Sequence, residues 1–219
     1  MIARVLEPEV MDTAEDAADY DAMDHSAVNR AFVADFLSTH PAVSSVLDVG
    51  TGTALIPIEL CRQSDSIRVV GVDLSQAMLD VAQRNIVAAG FEDRIGLTLM
   101  DASGLYYHPG AFSAVVSNSI VHHIPQPLGC LTSIILVCRP GGRIFVRDLF
   151  RPDSEAELDR LVNLHAAGAN DHQRQLFADS LRAALTLDEV RGMVGQLGFA
   201  PETVTQTSDR HWTWSAVCP

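Results

Sequence analysis

From residue 43 to residue 150 the chain alternates short apolar runs with segments whose apolar residues recur every three to four positions, and this alternation leaves few folds open. The runs "VSSVLDVG", "IRVVGVDL", "RIGLTLMD", "FSAVVSNSIV" and "RIFVRDLF" read as five strands. Near-continuous apolar strands separated by helices belong to a parallel sheet covered on both faces, because each crossover must climb back over the sheet. The helices carry their own punctuation. Residues 54–62 form one, with Pro57 in the first turn, where its missing N–H costs little. "SQAMLDVAQRNIVAAG" begins at a capping Ser75 and stops at Gly90, and "PLGCLTSIILVCRPGG" gives a helix followed by a turn.

The flanks follow other patterns. The first 25 residues carry eight acids against one base, Arg4. A helix is expected from Ser26, with Val28, Phe32 and Phe36 four apart, ending at His40-Pro41. After Arg151 the alternation breaks into one or two helices with a heavy polar load. "TLDE" at residues 186–189 is a capping box that starts another helix, which Gly198 closes. The tail "ETVTQTSDRHWTWSAV" alternates and turns at Ser208-Asp209, as an antiparallel hairpin does. The expected divisions are residues 1–40, 41–151, 152–185 and 186–219.

Composition closes off whole classes of function. A net charge of −13 with scattered arginines repels phosphate, so nucleic acid is not an expected partner. Lysine is absent, which excludes a phosphate-gripping P-loop lysine and a Schiff-base lysine. Cys61, Cys130, Cys138 and Cys218 form no CxxC pair and read as thiols of a reducing compartment. The first residues lack the pattern of a secretory signal, and no apolar run reaches the roughly 18 residues of a membrane span. A cytoplasmic soluble monomer or homodimer without membrane partners is the expectation.

The first strand ends in an unusual way: "VLDVGTGTALIPIEL" runs into a carboxylate, Asp48, and then a turn of Gly50, Thr51, Gly52, Thr53 and Ala54. In an open parallel sheet, ligands bind beyond the carboxyl ends of the strands, and glycine lets backbone approach a ligand closely. A dinucleotide fingerprint needs a small residue where this chain has Leu55, which would crowd a pyrophosphate. An acid beside the turn suits a cationic ligand better than a phosphate.

"VLDVGTGTA" resembles the glycine-rich first motif of the class I S-adenosylmethionine-dependent methyltransferases. "VVGVDLSQAML" is similar to that family's second motif, "LMDASGLYY" to the third, "FSAVVSNSIVHHI" to the fourth and "CRPGGRIFVRD" to its turn and fifth strand. The resemblance covers residues 46–148, and the terminal hairpin fits the family's closing strands. It implies an α/β, Rossmann-like, doubly wound and mostly parallel seven-stranded sheet with a C-terminal antiparallel hairpin. S-adenosylmethionine would be the cofactor, residues 1–40 a cap or lid, and residues 152–185 a substrate-side insertion. Gly50, Thr51, Gly52 and Thr53 would admit the methionine part of the cofactor, with Asp48 facing its ammonium. Asp73 would accept both ribose hydroxyls, Leu74 and Met78 would cover the adenine, and Asp101 with Ala102 would meet its exocyclic amine. By the same resemblance Ser117 and Asn118 line the methionine end; apart from it, Tyr20 and His25 in the acidic amino-terminal segment are candidates to fold over the cofactor as a lid. Plainer roles stay open: Asp48 and Asp73 as helix caps, Asp101 as a turn acid, Ser117 and Asn118 as turn formers. The family often has a third glycine at the place of Ala54, where slightly tighter packing is expected.

Methyl transfer from a sulfonium is an in-line displacement, and holding the acceptor roughly 3 Å from the methyl supplies much of the rate. His122 and His123 are the candidate bases, because histidine titrates near neutral pH. No third ligand stands at a telling spacing from them, so no metal is expected. Arg147, Arg151, Arg174 and Arg182 either meet an acidic small molecule or pair with nearby acids. "SNSI" departs from the "NPPY" or "DPPY" of enzymes that methylate amino groups of DNA bases. A small-molecule methyltransferase is the leading expectation. The alternatives are a non-catalytic S-adenosylmethionine-binding regulatory module and a nicotinamide-dependent oxidoreductase, against which Leu55 stands.

Overall fold

The computed structural model describes residues 2–7, 13–39 and 43–219. His40 and Pro41, expected to end the second helix, lie outside the described residues. In chain order the elements are α1 (Ala14–Asp21), α2 (Ser26–Thr39), β1 (Ser45–Val49), α3 (Leu55–Gln63), β2 (Arg68–Asp73), α4 (Gln76–Ala89), β3 (Ile95–Leu99) and β4 (Phe112–Asn118). There follow α5 (Pro127–Val137), β5 (Cys138–Leu149), α6 (Glu155–His165), α7 (Asp171–Ala183), α8 (Leu187–Gln196), β6 (Val204–Gln206) and β7 (His211–Val217). Seven strands form one sheet in the order β3-β2-β1-β4-β5-β7-β6. The first five are parallel; β7 inserts antiparallel between β5 and β6.

Both faces of the sheet are covered, and the strand period of two sorts the side chains. Leu47 and Val49 of β1 join Val115, Val146, Trp212 and Trp214 on the face packed by Leu131 and Ile134 of α5 and Val190 and Val194 of α8. Val46, Val69, Val116 and Phe145 face the other way, against Phe32 and Phe36 of α2, Leu60 of α3 and Ile86 of α4. The expected seam of α2 is corrected at one place. Val28 is exposed and Val33 is buried beside Phe32 and Phe36, because at 3.6 residues per turn a strict spacing of four drifts off the packed face. β5 also starts earlier than expected. It pairs Phe112 with Cys138, bulges through "RPGG", and resumes at Ala114 opposite Arg143. The bulge is where Gly141 takes φ of +70°.

The capping signals act where the sequence places them. Ser75 accepts from the Met78 amide, Gly90 closes α4 with φ of +74°, and Thr186 with Glu189 forms a capping box. The polar stretch after Arg151 resolves into α6 and α7, packed on each other through Leu158, Leu161, Val162 and Leu181 and against Leu149. The four cysteines are free and buried. Among the described residues no helix is long and apolar enough to cross a membrane.

Candidate active site

The strand order reverses beside β1, whose neighbours are β2 and β4, so the chain leaves the sheet there on opposite sides and opens a crevice. The turn after β1 fills it. Gly50 and Gly52 have φ of +74° and +53°, and the amides of Gly50 and Thr51 donate to the Val72 carbonyl at 2.8 and 2.9 Å. A Cβ at Gly50 would overlap Ile120. Thr51 swings under the turn to donate to Asp48 Oδ2 at 2.7 Å, which requires Gly71 opposite it on β2: a Cβ there would come within 2.6 Å of Thr51 Oγ1. Ala54 takes φ of 62° at the start of α3. Its methyl is fully buried among core residues, and its left-handed backbone adds a cost that a glycine would not carry.

Two carboxylates meet at this turn. Asp48 is 1% exposed, and its Oδ1 has no hydrogen-bond partner among the described residues. Burial pushes its pKa up to about 7; the Thr51 hydroxyl opposes this and the charge of Asp73 adds to it. Asp73 accepts from the Gly52 amide at 2.8 Å through Oδ2 and from the Ser75 amide at 3.0 Å through Oδ1. It thus ties the turn after β1 to the end of β2. Thr53 Oγ1 is a second buried polar atom of the turn without a partner among the described residues. Tyr20 of α1 covers the turn, its Cε1 lying 3.8 Å from the place of a Gly52 Cβ, and stacks on His25 with ring centroids 4.6 Å apart. Burial, then the charges of Asp48 and Asp73, push the Tyr20 phenol up to about 12.

Of the residues singled out in the sequence, Tyr20, Gly50, Thr51, Gly52, Thr53 and Asn118 line one small cleft of about 30 Å³, with Asp73 bonded to its Gly52 wall. Leu55, also singled out in the sequence, and Ile56 of α3 join the lining with Asn29 of α2. Sequence reasoning missed Asn29, because only the docking of α2 brings it there. Ser117 does not join the cleft: its hydroxyl is fully buried and donates to the Val49 carbonyl at 2.8 Å. Leu74 is 65% exposed, whereas Met78 is buried beneath α1 with Ala17 and Val81. Asp101 is exposed and accepts from the Ser103 amide at 2.8 Å, while Ala102 packs on the core.

Ile120, against Gly50, leads directly into a 3-10 turn, Val121–His123. His122 is buried, with Nδ1 2.5 Å from Asp148 Oδ1, and Asp148 Oδ2 accepts from the Val121 amide at 2.5 Å. On its other side, His122 Nε2 lies 3.8 Å from Glu7 Oε1. His123, 41% exposed, places Nδ1 2.7 Å from Glu7 Oε2. Burial draws His122 down, but Asp148 and Glu7 more than offset it and the net shift is upward. Burial likewise pushes Asp148 up, and the His122 imidazolium holds it below the usual carboxylate range. Held between two acids, His122 is a fixed imidazole rather than a free base. Asp148 carried a signal in the sequence, an acid inside an apolar strand; Glu7 carried none. Arg4 fastens the segment bearing Glu7, donating to the carbonyls of Ala183 at 2.7 Å and His122 at 3.1 Å.

The four arginines expected either to meet a ligand or to pair locally have partners within the chain. Arg147 pairs with Asp35, Arg151 with Glu189 and Arg182 with Glu155, while Arg174 bonds the Ala166 carbonyl and the Asn163 amide.

Comparison with known proteins agrees with this geometry. Residues 46–142 match the family profile described as a methyltransferase domain. The 27-O-demethylrifamycin SV methyltransferase of Amycolatopsis mediterranei is 26% identical over 174 residues, covering 78% of this chain and 60% of that protein. The chain spans between 52% and 60% of the length of the first three curated relatives it matches. Two solved structures share the fold. An S-adenosylmethionine-dependent methyltransferase from Aquifex aeolicus has a TM-score of 0.70 at 14% identity, covering 94% of this chain and 99% of that one. The plantazolicin methyltransferase BpumL, solved with a triazolic desmethylPZN analog and S-adenosylhomocysteine, has a TM-score of 0.68 at 13% identity, with coverage of 92% and 89%. By its sheet order and these likenesses the chain has the Rossmann-like fold of S-adenosylmethionine-dependent methyltransferases, with a methyltransferase-domain match over residues 46–142.

Proposed function

We propose that the protein transfers the methyl group of S-adenosylmethionine to a small-molecule acceptor in the cytoplasm, by in-line displacement. The observation that carries this reading is the buried Asp48 carboxylate, with one oxygen unpartnered among the described residues, beside Asp73 and a turn with glycine at positions 50 and 52. Such a site attracts a cation and repels phosphate. The residues present fit the cofactor. Asp48 faces its ammonium, Gly50 to Thr53 and Asn118 hold the methionine part, and Asp73 accepts the ribose hydroxyls through the free lone pairs of its two oxygens. Met78 and Leu74 close on the adenine, with Asp101 and Ala102 at its edge. The cofactor supplies an activated methyl; the chain's task is to orient it and to keep water from the acceptor.

The cap formed by residues 1–40 and the insertion 152–185 frame the acceptor. Where the acceptor must lose a proton, we assign that task to His123, the more exposed of the pair, with His122 and Asp148 positioning it. The small-molecule class rests on the net charge of −13 and on relatives named for rifamycin and plantazolicin methylation. Those names also favour catalysis over a purely regulatory cofactor module.

Calorimetric titration with S-adenosylmethionine and S-adenosylhomocysteine is the test, followed by mass spectrometry of a metabolite extract for methylated product. Micromolar binding and a product heavier by one methylene are expected. Absence of binding at millimolar ligand in folded protein overturns the reading, and binding without any product reduces it to the regulatory module.

A further inference from the structure

Ligand atoms of Glu7, His122 and His123 lie within 4.8 Å of one another. His122 Nδ1 is committed to Asp148 at 2.5 Å, which fixes the ring and leaves Nε2 facing Glu7 Oε1 across 3.8 Å. That gap is too long for a hydrogen bond; the Ser180 hydroxyl helps hold the Glu7 pKa down, yet Glu7 Oε1 is a buried oxygen with no partner at hydrogen-bond distance among the described residues. The other oxygen of the same carboxylate is 2.7 Å from His123 Nδ1. A proton on His122 Nε2 still leaves Glu7 Oε1 unsatisfied at this distance. A cation between the three groups satisfies all of them.

The spacing agrees with such an ion. First-row divalent cations hold nitrogen and oxygen ligands at about 2.0–2.2 Å, which sets neighbouring ligand atoms roughly 3.0–3.6 Å apart. The contacts of 2.7 and 3.8 Å, made by the two oxygens of Glu7, straddle that range, and one ligand atom from each of the three residues already lies within 4.8 Å of the others. Asp148 on the far nitrogen of His122 is the carboxylate–histidine arrangement that orients a metal-binding imidazole and raises its basicity. The charges facing the cluster favour a cation: Glu7 and Asp148 against one guanidinium, Arg4, which is spent on the carbonyls of Ala183, His122 and Ile124.

We propose that Glu7, His122 and His123 bind a first-row divalent cation of the zinc type, with positions left open for water or an oxygen of the acceptor. The absence of metal-ligand spacing in the sequence is explained by the fold, which carries Glu7 to the histidines from the amino-terminal segment. On the methyl-transfer reading, on which this one consequence rests, the bound ion takes over from His123 the work of acidifying an acceptor hydroxyl.

The test uses tag-free, full-length protein stripped with a chelator and titrated with Co2+ by visible absorption and with Zn2+ by calorimetry, both without methyl donor. One ion per chain, a cobalt ligand-field band and its loss on adding Zn2+ are expected. His123→Ala and Glu7→Ala should each weaken binding about tenfold or more, with unchanged circular dichroism. No band and no heat at millimolar metal overturns the proposal, as does binding that neither substitution weakens. Because no donor is present, a failure here leaves the methyl-transfer reading standing, and a failure to bind donor leaves this one standing.

Discussion

Asp48 holds its proton far more tightly in the folded chain than a free aspartate does, with a pKa of about 7 set first by burial. A carboxyl whose folded pKa is raised stabilises the fold while protonated, so its contribution falls as pH climbs from about 4 through 7. In the ligand-free protein, Asp48→Asn is therefore expected to raise stability at pH 8 by about 1–3 kcal/mol and to leave it nearly unchanged at pH 4. Denaturation curves at the two pH values check this; an equal effect at both would show that Asp48 ionises like a surface acid. The same substitution should weaken S-adenosylmethionine binding, since the cation that offsets the buried charge would lose its counterpart. Ala54 gives a second test at this scale. Its left-handed backbone costs an L-residue roughly 1–2 kcal/mol, partly offset by the smaller unfolded-state entropy of alanine. Ala54→Gly should be neutral to stabilising by about 1 kcal/mol in thermal melts, against the loss of about 1 kcal/mol on placing glycine inside a helix. A marked destabilisation would mean that the buried methyl packs more strongly than the backbone is strained.

Among the elements, α1 is the one whose position conflicts with cofactor binding. Its Tyr20 closes the cleft to about 30 Å³, while pockets for ligands of this size run from about 300 Å³ upward. What holds α1 down is limited: Ala17 and Tyr20 on Met78 and Val81, the Tyr20 ring on the turn, and a bond of 2.8 Å from Asn85 to Asp21. Burial on that scale is worth on the order of a few kcal/mol, less than global stability, so the helix can open while the sheet stays intact. In hydrogen exchange, α1 amides should exchange much faster than those of α4 in the free protein, and S-adenosylhomocysteine should change α1 more than any strand. Exchange of α1 in step with the core, indifferent to ligand, would show that the cofactor enters elsewhere. Opening also exposes Met78, which is how a side chain buried beneath α1 would reach the adenine.

At the level of the whole molecule, the sequence discloses what local periodicity and caps encode. Five apolar runs, Ser75, Gly90, Pro57 and "TLDE" located the strands and helix ends, and the strand-end acids located the crevice. Strand phase was less accessible: Ser117, one residue before the cleft-lining Asn118, turns its hydroxyl toward the Val49 carbonyl. Contacts between remote segments were invisible, since nothing near Glu7 marks it as a neighbour of His122 and nothing in α2 marks Asn29. The insertion of β7 between β5 and β6 is likewise a product of packing. Thr51 can bend toward Asp48 only because β2 has no side chain at Gly71, so a residue that touches no ligand governs which substitutions the crevice can survive. Drift at position 71 should accordingly be confined as tightly as drift at the turn, and the lineage of the site is written partly on a residue that never meets the cofactor.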